Sequence, residues 1–115
     1  MEIQLWKEIL SPYEQAVDEL LVKFNHIIMQ YKSMGKYSPI ESVTGRVKTV
    51  SSIIDKLQKK NIPMDRIVEE MDDIAGIRIM CQFTEDISKV VEIIRGRQDM
   101  RIRAEKDYIA NAKAS

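Results

Sequence analysis

Between residues 10 and 31, the apolar side chains Leu10, Tyr13, Val17, Leu20, Leu21, Phe24, Ile27, Ile28 and Tyr31 recur at steps of three and four. That spacing gathers them on one stripe of a long amphipathic helix. A stripe of this length needs another element to cover it, so the helix is expected to lie against a sheet. Ser11-Pro12 reads as its start, with serine as N-cap and proline at the first helical position, where the missing donor costs nothing. Residues 2–9 then read as a separate short helix. Gly35 and Ser38-Pro39 end the long helix, because the residue before proline avoids the α region.

A loop is expected over 35–43. Thr44 then reads as the cap of a second helix with Val47, Val50, Ile54 and Leu57 on its apolar stripe, ending near Asn61 before Pro63. A single helical turn is expected between residues 65 and 71. Residues 76–83 alternate, with Ile77, Ile79, Cys81 and Phe83 on one face and Arg78, Met80 and Gln82 on the other, the mark of a strand. Helical spacing returns over 85–95, with Gly96 to close that helix, and residues 100–104 read as a second strand. The order ααβαβ makes the chain α/β (α+β), helical over 1–62, with the start of a sheet over 73–104. Two strands leave unpaired edges, so the expectation is that more strands lie beyond residue 115 or that another chain supplies them.

Charge narrows the function classes. Eighteen basic residues balance eighteen acidic ones, so no global positive field points to DNA, and any anion site must be a local cluster. Cys81 is the single cysteine, which excludes an intrachain disulfide, and its apolar setting suggests an inert thiol in a reducing compartment. His26 has no partner at ligand spacing and reads as a structural or surface residue. No apolar run approaches the ~20 residues that span a bilayer, and the N-terminus lacks the core of a signal peptide, so the expected location is cytoplasmic.

Three local features can carry chemistry. Lys48, Ser52 and Lys56 recur every four residues, with Arg46 in the expected first turn and Lys59 and Lys60 in the last. At ~1.5 Å rise per residue, Lys48 and Lys56 would stand about 12 Å apart on a helix, the reach of a nucleotide triphosphate. The competing reading is a solvated face with Asp55 paired to Lys59. Asp72-Asp73, just before the first strand, offers a carboxylate for Mg²⁺, or only an acidic loop. Arg78 on the strand is a phosphate clamp or a salt-bridge partner. Lys106, Tyr108, Asn111 and Lys113 form a polar tail.

Together these segments resemble the RelA/SpoT synthetase family, the small alarmone synthetases. The resemblance rests on Ser38-Pro39-Ile40-Glu41-Ser42-Val43-Thr44-Gly45-Arg46-Val47-Lys48 and Asp73-Ile74-Ala75-Gly76-Ile77-Arg78-Ile79-Met80-Cys81-Gln82-Phe83, and it extends over essentially the whole chain. It implies a nucleotidyltransferase-like mixed sheet flanked by helices, of which residues 1–115 are the N-terminal part. It also implies (p)ppGpp synthesis in the stringent response: transfer of pyrophosphate from ATP to the 3′-hydroxyl of GTP or GDP. Carried over by position, Arg46, Lys48, Ser52, Lys56, Lys59 and Arg78 bind ATP, with Lys60 able to replace Lys59. Asp73 holds Mg²⁺, Lys106 and Lys113 lie on the acceptor side, and the assembly is a homotetramer open to regulation by RNA.

Relatives continue with Gly-Tyr-Arg-Ser-Tyr-His where this sequence reaches Ser115, and they carry a later glutamate, so the 115 residues alone are expected to make no alarmone. Ser42 stands where the family has phenylalanine and Lys106 where it has arginine, which removes a planar fork. The alternative class is a regulatory module that binds nucleotide or RNA without catalysis.

Overall fold

In the computed structural model, which describes residues 2–71 and 73–100, a single helix α1 (Glu2–Ser33) runs through Pro12 without a break. This corrects the expectation of two helices meeting at Ser11-Pro12. An interior proline removes one backbone hydrogen bond and crowds the preceding turn, at a cost of about 3 kcal/mol. Burial on the N-terminal side offsets it. Trp6 and Leu10 are 8% and 9% exposed and pack with Ile53, Leu57, Ile67, Met71 and Ile74, and a buried Leu-sized side chain contributes about 1.5–3 kcal/mol. Among the described residues, no helix is long and apolar enough to cross a membrane.

Gly35 adopts φ +65 and closes α1, with its N–H on Lys32 O at 3.0 Å and the Lys36 N–H on Tyr31 O at 2.9 Å. The connection that follows is fastened by Tyr37, whose hydroxyl donates to Asp86 Oδ2 at 2.6 Å. The hydrogen bond to that carboxylate pushes the Tyr37 hydroxyl up to about 12. The same oxygen accepts the Phe83 N–H at 3.2 Å, which satisfies a donor at the start of α4 (Thr84–Gly96).

Residues 42–47, expected as loop and helix start, form strand β1 (Ser42–Val47), paired antiparallel with β2 (Ala75–Met80). The register sets Thr44 opposite Arg78, Gly45 opposite Ile77 and Arg46 opposite Gly76. Between the strands lie α2 (Val50–Lys60), a 3-10 turn (Met64–Arg66) and α3 (Ile67–Glu70). Helix α2 is capped by Thr49 rather than Thr44, and it buries Ile53 and Leu57 while Ile54 stays exposed. It ends at Asn61 in the left-handed region, φ 55, with the last-turn carbonyls of Gln58 and Leu57 satisfied.

Strand β2 stops at Met80, so Phe83 lies outside it and is exposed, whereas Ile77, Ile79 and Cys81 pack inward as their alternation predicts. The second strand expected over 100–104 falls on residues beyond 100, outside those described.

Helix α1 covers one sheet face. Its C-terminal half contributes Phe24, Ile27 and Ile28 to a cluster with Ile40 and Val90, flanked by Val43, Ile77 and Ile79. Where α1 crosses β1 the residue is Gly45, and a Cβ there would stand 2.5 Å from Val17 Cγ1 and 3.3 Å from Ile77 Cγ2. Val17 is buried and β-branched, so it has little freedom to turn away. Gly45→Ala is therefore expected to cost about 1–3 kcal/mol in urea unfolding. Combined with Val17→Ala, which clears the clash, the two losses should be less than additive; strict additivity would contradict this contact.

Candidate functional site

The antiparallel register brings two chain segments together at one end of the sheet. Past Val47, the Lys48 N–H extends the ladder to Ile74 O at 2.7 Å, so Lys48 leaves β1 beside Asp73, which leads into β2. Helix α2 turns back over this end and delivers Lys56. Both ammonium groups converge on one carboxylate oxygen: Lys48 Nζ lies 3.2 Å and Lys56 Nζ 2.5 Å from Asp73 Oδ2. Asp73 remains half exposed, while the lysine side chains are 17% and 26% exposed. The hydrogen bond from Lys56 is the largest influence on the Asp73 carboxyl; burial opposes it, and the hydrogen bond from Lys48 with the charges of both lysines tips the balance, pulling the carboxyl down to about 2. Pairs open to solvent contribute at most about 1 kcal/mol each to stability. This triad therefore fixes geometry more than it holds the fold.

The expected row of Lys48, Ser52 and Lys56 along one helix face is replaced by this convergence. Lys48 precedes α2, and the two ammonium groups are no farther apart than their combined distances to Asp73 allow. Arg46 likewise lies on β1 rather than in a helical turn. Ser52 belongs to the cap of α2: its N–H donates to Thr49 Oγ1 at 3.2 Å, and the Thr49 hydroxyl donates to its Oγ at 2.9 Å. Lys59 pairs with Asp55 at 3.1 Å across a helical turn, the solvated arrangement weighed for that face.

The face of the sheet away from α1 carries Thr44 and Arg46 from β1 and Gly76 and Arg78 from β2, all exposed. Arg46 and Arg78 are diagonal neighbours, a relation that sets residues about 7–8 Å apart. With Thr44, Gly45, Gly76 and Ile77 they line an open depression of about 660 Å³. Gly76, opposite Arg46, puts no side chain between them. Among the described residues neither arginine forms an ion pair, so both guanidinium forks remain available to an anion.

No group of three or more His, Cys, Asp and Glu side chains that could hold a metal exists among the described residues. His26 is exposed, and Cys81 is a half-buried free cysteine whose thiol is pushed up by burial and by the nearby Asp86. Asp72, Lys106 and Lys113 fall outside the described residues. Two features escaped sequence reasoning. Thr49 was signalled only by its place before an apolar step, and Thr44 competes for that role. The contact between Tyr37 and the nearly buried Asp86 has no local signal at all.

Residues 45–115 match the region found in RelA / SpoT proteins. The chain is 49% identical over 115 residues to the GTP pyrophosphokinase YjbM of Bacillus subtilis (strain 168), covering 100% of this chain and 54% of that protein. It thus spans about half the length of the curated relatives it matches. Among solved structures, it resembles the small alarmone synthetase 1 of Bacillus subtilis bound to its product pppGpp, with a TM-score of 0.85 and 50% identity, covering 93% of this chain and 56% of that one. The same synthetase bound to AMPCPP gives a TM-score of 0.78 at 48% identity, covering 87% and 55%.

The depressed acidity of Asp73 sets a pH dependence. A carboxyl lowered by folding contributes stability above its unfolded value of about 3.9 and loses it as pH falls through the folded value. NMR titration of the Asp73 side chain should accordingly give a midpoint near 2. In Lys56→Ala the midpoint should rise toward 3.9, and an unshifted midpoint would show that Lys56 does not hold the carboxylate.

Proposed function

Because the chain belongs to the family defined by the region found in RelA / SpoT proteins, we propose that it forms the donor-nucleotide part of a GTP pyrophosphokinase that makes (p)ppGpp from ATP and GTP or GDP. The observation that carries the reading is the meeting of Lys48, Lys56 and Asp73 at the end of a sheet whose open face bears Arg46 and Arg78. Relatives that bind pppGpp and AMPCPP support it, since AMPCPP is ATP with a methylene bridge.

In this reading Lys48 and Lys56 hold donor phosphates as point charges. Arg46 and Arg78 grip phosphate oxygens or the nucleotide from the sheet face, and Ser52 and Lys59 contribute from the flank of α2. The acceptor 3′-hydroxyl oxygen bonds to the β-phosphorus, the bond from that phosphorus to the AMP oxygen breaks, and the hydroxyl proton is lost. Such transfers depend on positioning and on neutralising charge rather than on covalent help from the protein.

Asp73 fits a magnesium site, because Mg²⁺ takes one or two carboxylates and leaves its remaining positions to water and phosphate oxygens. An ionised, half-exposed carboxylate beside the phosphate-binding lysines meets that need. A magnesium ion bound there supplies neutralisation of the transferring phosphates. Lys106 and Lys113 are assigned to the acceptor side by family position. A homotetramer fits the exposed apolar side chains Val22 and Met29, which share one face of α1. Its nucleotide substrates argue for a cytoplasmic enzyme.

The 115 residues contain no Gly-Tyr-Arg-Ser-Tyr-His, so the purified chain should bind AMPCPP yet make no alarmone. Calorimetry tests the donor site. Lys48→Ala with Lys56→Ala removes two charge-assisted contacts worth about 1.5–3 kcal/mol each and should weaken AMPCPP by at least about tenfold. Unchanged affinity would return the lysines to the role of a solvated face.

A further inference from the structure

Lys48 and Lys56 are the cations held in place for a phosphate, yet both are already engaged by a carboxylate. Asp73 Oδ2 takes the two ammonium groups at 3.2 and 2.5 Å, as a phosphate oxygen would, since both anions recognise ammonium through the same charge-assisted hydrogen bonds. A triphosphate arriving here meets an occupied pair of donors and a neighbouring negative charge. A divalent cation on the carboxylate removes both obstacles at once, because it neutralises Asp73 and draws its oxygens away from the lysines.

We propose that Asp73 is an internal stand-in for the donor phosphate, holding Lys48 and Lys56 until a divalent cation takes its carboxylate, so that metal and triphosphate bind this chain as a coupled pair. The inference rests on the donor-site reading above and adds its regulation: without metal the site is closed to nucleotide by its own carboxylate. The coupling is reciprocal, so the nucleotide also tightens the metal by the same factor. A carboxylate that served only as a metal ligand would act on metal-free binding through its charge alone, an effect that salt screens. Release of the two lysines instead adds hydrogen-bond donors, so the gain in Asp73→Asn should persist at high salt.

The test is calorimetric titration of the purified chain with AMPCPP, in EDTA and in millimolar magnesium. For the wild type, magnesium should tighten binding by about tenfold or more, within the usual range of coupling factors. In Asp73→Asn the affinity in EDTA should rise about tenfold above the wild-type value in EDTA, because the lysines are released, and magnesium should then add less than about twofold. Asp73→Ser is the second variant, and both should fold, since the side chain is half exposed. Unchanged or weakened metal-free binding in both variants overturns the stand-in role. If Lys48→Ala with Lys56→Ala still weakens AMPCPP, the donor site survives that result; if it does not, the donor-site reading fails as well.

Discussion

The close approach of α1 to β1 at Gly45 is the contact from which the remaining geometry follows. With Val17 Cγ1 at 2.5 Å from where a Cβ would stand, the helix settles onto the sheet at a separation that no larger residue allows. Its two ends then find different partners. The N-terminal part buries Trp6 and Leu10 against α2 and α3, and the C-terminal part buries Phe24, Ile27 and Ile28 beside Ile40 and Val90. One helix thus joins two clusters that would otherwise be small, and it leaves the opposite sheet face, with Arg46 and Arg78, open. Among the described residues, the apolar covering of the sheet lies on the α1 side, which leaves the face with Arg46 and Arg78 open.

Site electrostatics follow from that placement. The antiparallel register sets Lys48 beside Asp73, and the return of α2 under its Thr49 cap adds Lys56, although Lys56 and Asp73 are 17 residues apart in sequence. The result is one anion between two cations at the edge of a face that carries two more. Net charge over the whole chain is zero, so the positive potential here is local and comes from the fold.

Elements whose apolar period is complete were legible in the sequence. The stripe of α1, the alternation of Ile77, Ile79 and Cys81, and the helical spacing after residue 85 all describe the structure. Strand β1 was not legible, because its inward face offers only Val43 and Val47 around Gly45, and a strand with a glycine at its contact point shows no alternation. Ser11-Pro12 misled because local start chemistry was outweighed by the burial of Trp6 and Leu10, which a local signal does not contain. At the candidate site the structure changes the arrangement of the residues that the sequence singled out. Lys48 and Lys56 suggested a linear row, whereas the sheet register folds them onto a single carboxylate. Lys59 and Ser52 have local partners in Asp55 and Thr49, one of which the spacing had already offered.

The central claim is that Lys48, Lys56, Arg46 and Arg78 form one nucleotide surface organised by Asp73. Chemical-shift mapping of the isotopically labelled chain with AMPCPP and magnesium tests it most directly. The account predicts that the largest changes fall on the side-chain nitrogens of those four residues and on the backbone of residues 46–49 and 73–78, with α4 and the exposed face of α1 silent. Changes concentrated on α1 or α4, with the four cationic side chains unmoved, would contradict it.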